Sequence, residues 1–150
     1  MASRIFRIGR SATGLGMFAT RPIRRGDYIA TYRGPRLTTA EADRREKRGA
    51  TYLFTLNRHW TIDGSPRWNV ARYINHSCKP NAKPVTRDGR IVIVAAKRIE
   101  PGEEIAYHYG EEYLQWFIED GGGCRCGACR RKRALRRRRA RLKAKKNKKK

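Results

Sequence analysis

Acidic residues are scarce in this chain: 13 Asp and Glu face 37 Lys and Arg, for a formal net charge of +24. Long apolar runs are missing too. None approaches the roughly 18 residues a membrane span needs, so no transmembrane segment is expected. Met1 to Arg10 holds no apolar run of signal-peptide length. Secretion by a standard signal peptide is therefore not expected, and a cytosolic, nucleoid or nuclear protein is. Cysteine is limited to Cys78, Cys124, Cys126 and Cys129. Without a secretory signal, this clustered set points to a metal site before a disulfide framework. No internal repeat is visible. With 150 residues, 39% of them hydrophobic, there is room for one modest core and little else.

The positive charge is concentrated. Residues 130–150 hold 15 Lys or Arg and no acid, leaving +9 of the +24 on the rest. The tract is nearly pure Arg, Lys and Ala. A merely solvated charge run is the plain alternative, but a tract this long and pure suits DNA or another polyanion, through release of bound counterions. Such contacts carry little base specificity.

Local patterns predict many short strands and few helices, hence a mostly β domain. Residues 4–8 read as a strand, and Gly14-Leu15-Gly16 as a tight turn. Strands follow over Met17 to Pro22 and Asp27 to Tyr32. Thr38-Thr39-Ala40-Glu41 has capping-box spacing and opens a helix that Gly49 ends. Thr51 to Trp60 alternates as one strand, and Asn69 to Ile74 reads as a helical turn or two. Lys83 to Ile99 reads as a hairpin turning at Asp88-Gly89, with Ile91 to Val94 as a buried strand. Ile105 to Tyr109 reads as a strand and Glu111 to Glu119 as a helix, broken by Gly121-Gly122-Gly123. Like charges disfavour order in the basic tail unless an anion neutralises them.

The most telling segment is Arg72-Tyr73-Ile74-Asn75-His76-Ser77-Cys78-Lys79-Pro80-Asn81. Its amides, imidazole and thiol are too polar for ordinary core. Around it, in order, stand Gly14-Leu15-Gly16, Tyr32-Arg33-Gly34, Tyr52-Leu53-Phe54, Asp63-Gly64 and Glu104-Ile105-Ala106-Tyr107-His108-Tyr109-Gly110. Near the end comes Cys124-x-Cys126-x2-Cys129, three thiolates where a closed tetrahedral zinc site needs four ligands. Together these motifs resemble the SET-domain family of protein lysine methyltransferases, over about residues 4–129.

The resemblance implies small β-sheets with a pseudoknot, in which the Asn75-His76 segment is threaded against the Tyr109 segment. It implies a SET domain over residues 1–120 without large flanking domains. A post-SET-like zinc-binding flap would cover 121–130, and a disordered or weakly helical basic tail 131–150. The methyl donor S-adenosylmethionine would be held by the backbone around Gly14, Leu15, Gly16 and Met17, and by Tyr52, Arg72, Asn75 and His76. These types suit it. Glycines admit close backbone approach, Asn75 offers donors and acceptors, and aromatic faces favour a sulfonium. Tyr109 would be the catalytic tyrosine. Tyr32 would line the lysine channel, and Tyr107 would limit the number of methyls added, giving mainly monomethylation. Cys78 would join Cys124, Cys126 and Cys129 around one zinc ion.

Three residues or spacings depart from the family pattern. The cysteine spacing after Cys126 is two residues short, Trp68 stands where glycine is frequent, and His108 where aspartate is. The implied function is methyl transfer to a lysine of a histone, histone-like or other DNA-associated basic protein, and a monomer in the nucleus, chromosome or nucleoid is expected. Acidic residues Asp63, Glu103, Glu104, Glu111, Glu112, Glu119 and Asp120 are the candidates for receiving a basic substrate. The competing reading is a catalytically inactive SET-fold module that binds nucleic acid through its tail. Retention of Arg72, Asn75, His76 and Tyr109 favours the enzyme.

Overall fold

The computed structural model describes residues 4–119 and 123–147. Among them, three small sheets carry the fold. One is ordered β1 (Phe6–Ser11), β2 (Gly14–Ala19), β10 (Glu104–Tyr107), β7 (Asn75–His76). The second is β3 (Tyr28–Tyr32), β9 (Arg90–Ala95), β8 (Ala82–Arg87), and the third β4 (Arg36–Thr38), β6 (Trp60–Asp63), β5 (Leu53–Thr55). The helices are α1 (Thr39–Lys47), α2 (Glu111–Glu119) and α3 (Gly127–Asn147), with a 3-10 turn over Val70–Tyr73. No described helix is long and apolar enough to cross a membrane.

Local chemistry accounts for much of this. Residues Ile91 to Val94 are β-branched and buried, as suits a strand flanked on both sides. The hairpin closes at Asp88 and Gly89, with φ of 47° and 66°, the signature of a type I′ turn. Thr38 caps α1 by accepting the Glu41 N–H at 3.3 Å. Met17, Ile23, Ile74, Ile91, Ile93, Ile99 and Ile105 fill the core joining the sheets.

Two polar side chains inside this core hold the site's segments together. Asn81 accepts the Ala106 N–H at 2.9 Å and donates to the Glu104 carbonyl at 2.8 Å. It thereby fastens the end of the polar motif to β10. There β7 runs parallel to β10, with Asn75 opposite Ala106 and His76 opposite Tyr107. This is the pairing the expected pseudoknot requires. Asn69 is 1% exposed. It accepts the Arg33 N–H at 3.0 Å and donates to Gly64 O at 3.1 Å, fixing the end of β3 against the end of β6.

Some expected boundaries move. Gly14-Leu15-Gly16 is not a turn but the start of β2; the turn falls at Ala12-Thr13, where the Thr13 N–H bonds Ser11 Oγ at 3.2 Å. The single strand expected over Thr51 to Trp60 is broken. Asn57 Oδ1 takes the N–H groups of His59 at 2.9 Å and Trp60 at 3.0 Å, bending the chain between β5 and β6. The hairpin's second strand ends at Ala95, and Ile99 instead bridges to Ile23. Residues 131–147, expected to be disordered or weakly helical, belong to continuous α3. Arg, Lys, Ala and Leu are strong helix formers, and no Gly or Pro interrupts them after Gly127. The expected glycine break at Gly121-Gly122, Asp120 and Lys148–Lys150 lie outside the described residues.

Candidate active site

Asn75 sits at the meeting of three segments. Its Nδ2 lies 3.1 Å from Ser11 Oγ, 3.0 Å from the Leu15 carbonyl and 2.8 Å from Glu104 Oε1. Glycine at position 16 leaves room for the Glu104–Asn75 contact. A Cβ would stand 2.5 Å from Glu104 Oε1 and 3.1 Å from Asn75 Nδ2. Met17 contributes backbone alone, because its side chain is fully buried in the core. Leu15 is exposed.

Arg72 lies in the 3-10 turn, three residues before Asn75. Its guanidinium lies 4.2 Å from the Tyr52 ring centre and 5.6 Å from that of Tyr73. Nη1 donates to the Ser65 carbonyl. Its Nε is buried with no partner, the one such side-chain atom among the described residues. A buried cationic N–H without an acceptor is costly, and an anionic ligand group would satisfy it. An open cleft of about 380 Å3 borders Tyr52, Asp63 and Ser65. Asp63 itself is spoken for, with Arg45 at 2.8 Å and the Ser65 N–H at 3.0 Å.

The tyrosines form a row. Tyr32 packs on Phe54 with ring centres 5.1 Å apart, Phe54 on Tyr107 at 6.1 Å, Tyr107 on Tyr109 at 4.9 Å, and Tyr109 on Tyr113 at 4.9 Å. Tyr109 donates its hydroxyl proton to the Ile74 carbonyl at 2.5 Å, one residue before Asn75. Tyr32 donates to the Tyr52 carbonyl at 2.9 Å. Burial first, then the neighbouring phenols, pushes Tyr107 and Tyr109 well above the usual tyrosine range. Burial and then Asp63 do the same for Tyr32. All three are neutral at physiological pH.

His76 links this row to the cysteines. Its Nδ1 accepts the Tyr109 N–H at 3.2 Å, and its Nε2 lies 3.3 Å from Cys78 Sγ. Burial, then the nearby His108, lowers His76 to about 4, so the ring is neutral. A neutral ring accepting at Nδ1 carries its proton on Nε2. His76 therefore donates to the Cys78 sulfur.

The Cys78 sulfur lies 3.7 Å from that of Cys124 and 3.6 Å from that of Cys129. The Cys126 sulfur accepts N–H groups from Cys78 at 3.5 Å and Cys129 at 3.4 Å. Sulfurs about 2.3 Å from a tetrahedral zinc stand about 3.8 Å apart, so the two separations from Cys78 suit thiolates that share one metal ion. Burial opposes ionisation of Cys126, but the Cys78 and Cys129 N–H groups, together with the thiols of Cys124 and Cys129, outweigh it and bring that thiol down to about 7. His76, Cys78, Cys124 and Cys126 also lie within 4.8 Å of one another at their ligand atoms. The Nε2 proton argues for Cys129 over His76 as the fourth ligand.

The fold thus gathers Gly14–Met17, Tyr52, Arg72, Asn75, His76, Tyr32, Tyr107, Tyr109 and the four cysteines into one continuous region. Sequence reasoning missed Tyr113, gave Phe54 no role beyond its motif, and offered Glu104 as a substrate contact and not as the partner of Asn75. Phe54 and Tyr113 could have been suspected as aromatics two residues beyond Tyr52 and one helical turn beyond Tyr109. Nothing local marks Glu104 as the partner of Asn75. Of the acidic candidates, Glu111 and Glu112 are exposed at the start of α2, and Glu103 accepts the Glu100 N–H at 2.7 Å. His108 accepts the Gly110 N–H at 3.1 Å and lies 3.6 Å from Glu111.

This fold, with its cradle, tyrosine row and cysteine cluster, is that of a known class. Residues 14–110 match the SET domain family model, and the chain belongs to that family. Among curated relatives is "Histone-lysine N-methyltransferase, H3 lysine-4 specific" of Aspergillus oryzae, 39% identical over 133 residues, covering 81% of this chain and 11% of that protein. "Histone-lysine N-methyltransferase set-2" of Caenorhabditis elegans is 41% identical over 126 residues, covering 77% and 8%. The chain therefore spans about a tenth of the length of these relatives. Among solved structures, Chaetomium thermophilum Polycomb Repressive Complex 2 bound to GSK126 aligns with TM-score 0.66 and 32% identity, over 79% of this chain and 18% of that one.

Proposed function

We propose that this chain is a protein-lysine N-methyltransferase using S-adenosylmethionine, with a histone or other DNA-associated basic protein as substrate. The carrying observation is that Asn75, on the cradle, and Tyr109, in the aromatic row, are tied together through Ile74 and His76. Relatives named as histone-lysine methyltransferases support the reaction and the substrate class.

When bound, S-adenosylmethionine supplies an electrophilic methyl group on a sulfonium. The unpartnered Nε of Arg72 suits its carboxylate, and the acceptors Leu15 O and Asn75 Oδ1 would suit its ammonium. Tyr32, Phe54, Tyr107 and Tyr109 would wall the path of the incoming lysine. Tyr109 donates its hydroxyl proton to the Ile74 carbonyl, which leaves its oxygen free to accept, and it would meet the incoming amine in that role. It can hold an amine N–H and favour positive charge near the transferred carbon. Acceleration then comes mainly from alignment and fixed dipoles. The four aromatic walls carry no carboxylate, and the tyrosines stay neutral. Lysine therefore sheds its proton to water before transfer, aided by burial of the cation among aromatics.

Tyr107 brings a second hydroxyl to the row and would limit the product to the monomethyl form. Cys78, Cys124, Cys126 and Cys129 would hold zinc, tying the segment after α2 to the polar motif. Glu111 and Glu112 would face a basic substrate. The basic tract would contact DNA, which suits a chromosomal location and a monomeric enzyme. The test is to incubate the chain with labelled donor, histones and peptides, and to locate the label by mass spectrometry. Labelled lysine, lost in Tyr109→Phe, is the expected result. No transfer to any basic protein, by a folded and metal-loaded chain, would instead favour the non-catalytic module.

A further inference from the structure

We propose that α3 seats in the major groove of B-form DNA as a continuous helix, anchored at its first turn to the cysteine loop and the β1–β2 turn. This rests on the polyanion contact put forward above and goes beyond it, to one nucleic-acid form and one groove.

The charge distribution favours a groove over a surface. Of the 21 residues in α3, 12 are Lys or Arg and none is acidic. At 100° per residue, they project nearly all the way round the axis. Only two equally narrow gaps remain, one holding Leu135 and Leu142 and the other Cys129, Ala140 and Asn147, and no described α3 residue is buried. A membrane surface calls for a broad apolar face, which two leucines do not make. A single strand or flat anionic surface meets one side of a helix and leaves the other side's charges repelling one another. A groove lines both sides with phosphates. The B-form major groove is about 12 Å wide, and a helix with side chains is about 10–12 Å across. At about 1.5 Å per residue α3 is about 31 Å long, close to one duplex turn. The major groove of A-form RNA is too narrow for a helix.

The anchoring favours a fixed exit from the domain. Cys129 lies in the first turn of α3 and donates its N–H to Cys126 Sγ at 3.4 Å. Arg133 Nη1 donates to the Cys124 carbonyl at 2.8 Å, and Arg130 Nη1 to the Ala12 carbonyl at 3.3 Å. Ala12 adjoins Ser11, which contacts Asn75. A duplex seated along α3 would lie beside the active site, and so would proteins bound to that duplex.

The test keeps charge constant and breaks the helix. The full chain and Ala140→Pro are titrated by fluorescence anisotropy against a two-turn DNA duplex, an RNA duplex of the same sequence, the single DNA strand and heparin. Proline in the helix interior removes a hydrogen bond and clashes with the preceding turn. Duplex DNA affinity should fall about tenfold or more in Ala140→Pro, while heparin affinity and the domain's thermal unfolding stay the same. Guanine N7, in the major groove, should be protected from dimethyl sulfate, and adenine N3, in the minor groove, should not. If Ala140→Pro binds duplex DNA like the parent, or RNA duplex binds equally well, groove seating is wrong and the polyanion contact survives. If neither DNA nor heparin binds, both are wrong.

Discussion

The hydroxyl of Tyr109 has one proton, and the Ile74 carbonyl takes it. What remains is an acceptor held in place by a buried ring. Replacing it with Phe removes that acceptor and leaves the carbonyl short of a donor, at a cost of about 1 kcal/mol in stability. Tyr109→Phe should keep the fold by circular dichroism and lower kcat by about 100-fold or more. The raised tyrosines make a second prediction. A phenol whose titration is displaced upward stays protonated above its ordinary value near 10. Raising the pH therefore frees lysine of its proton without charging the row. Rates measured from pH 7 to 10 should climb steadily, with no falling limb from tyrosinate. At position 64, a Cβ would stand 2.2 Å from the Tyr32 hydroxyl. Gly64→Ala should displace that ring and raise KM for peptide more than it lowers the melting temperature.

Among the elements, the short β7 strand has the most consequence. It carries Asn75 toward the cradle and His76 toward both the cysteines and Tyr109. His76→Ala should still bind one metal ion through four thiolates, as judged by the spectrum of the cobalt-substituted chain. Its metal affinity should drop by about 10- to 100-fold. Cys78→Ser should instead change the cobalt spectrum itself, because a sulfur ligand is lost. Much of this was legible in the sequence, for local reasons. The Asn75-to-Asn81 string, the Thr38 cap, the Asp88-Gly89 turn and the cysteine spacing each encode their geometry within a few residues. Other features were not. Asn57 breaks a strand that alternation alone would continue, and Gly14 to Gly16 pairs as a strand despite its turn-like composition. Glu104 meets Asn75 only because β10 enters beside β2 and β7. Such partners are set by register between distant segments, which periodicity does not report.

For the molecule as a whole, the cysteine cluster joins the polar motif to the segment after α2, with Cys78 and Cys124 46 positions apart in the sequence. Chelation should leave the three sheets intact by circular dichroism while increasing amide exchange in residues 123–130. It should also reduce methyl transfer, and added zinc should restore both. Acid should act the same way, since thiolates must be deprotonated to bind metal.

The cradle carries a further implication for how the chain is made. Asn75 reaches back 64 residues to Ser11 and forward 29 to Glu104, so no contiguous stretch of polypeptide contains the pocket. Distant pairings of this kind form late, after loop closure has been met. During synthesis, the proposed donor cradle cannot close until β10, which carries Glu104, has left the ribosome. Under the proposed reaction, competence would belong to the finished fold alone, and a partly folded copy would leave its neighbours unmodified.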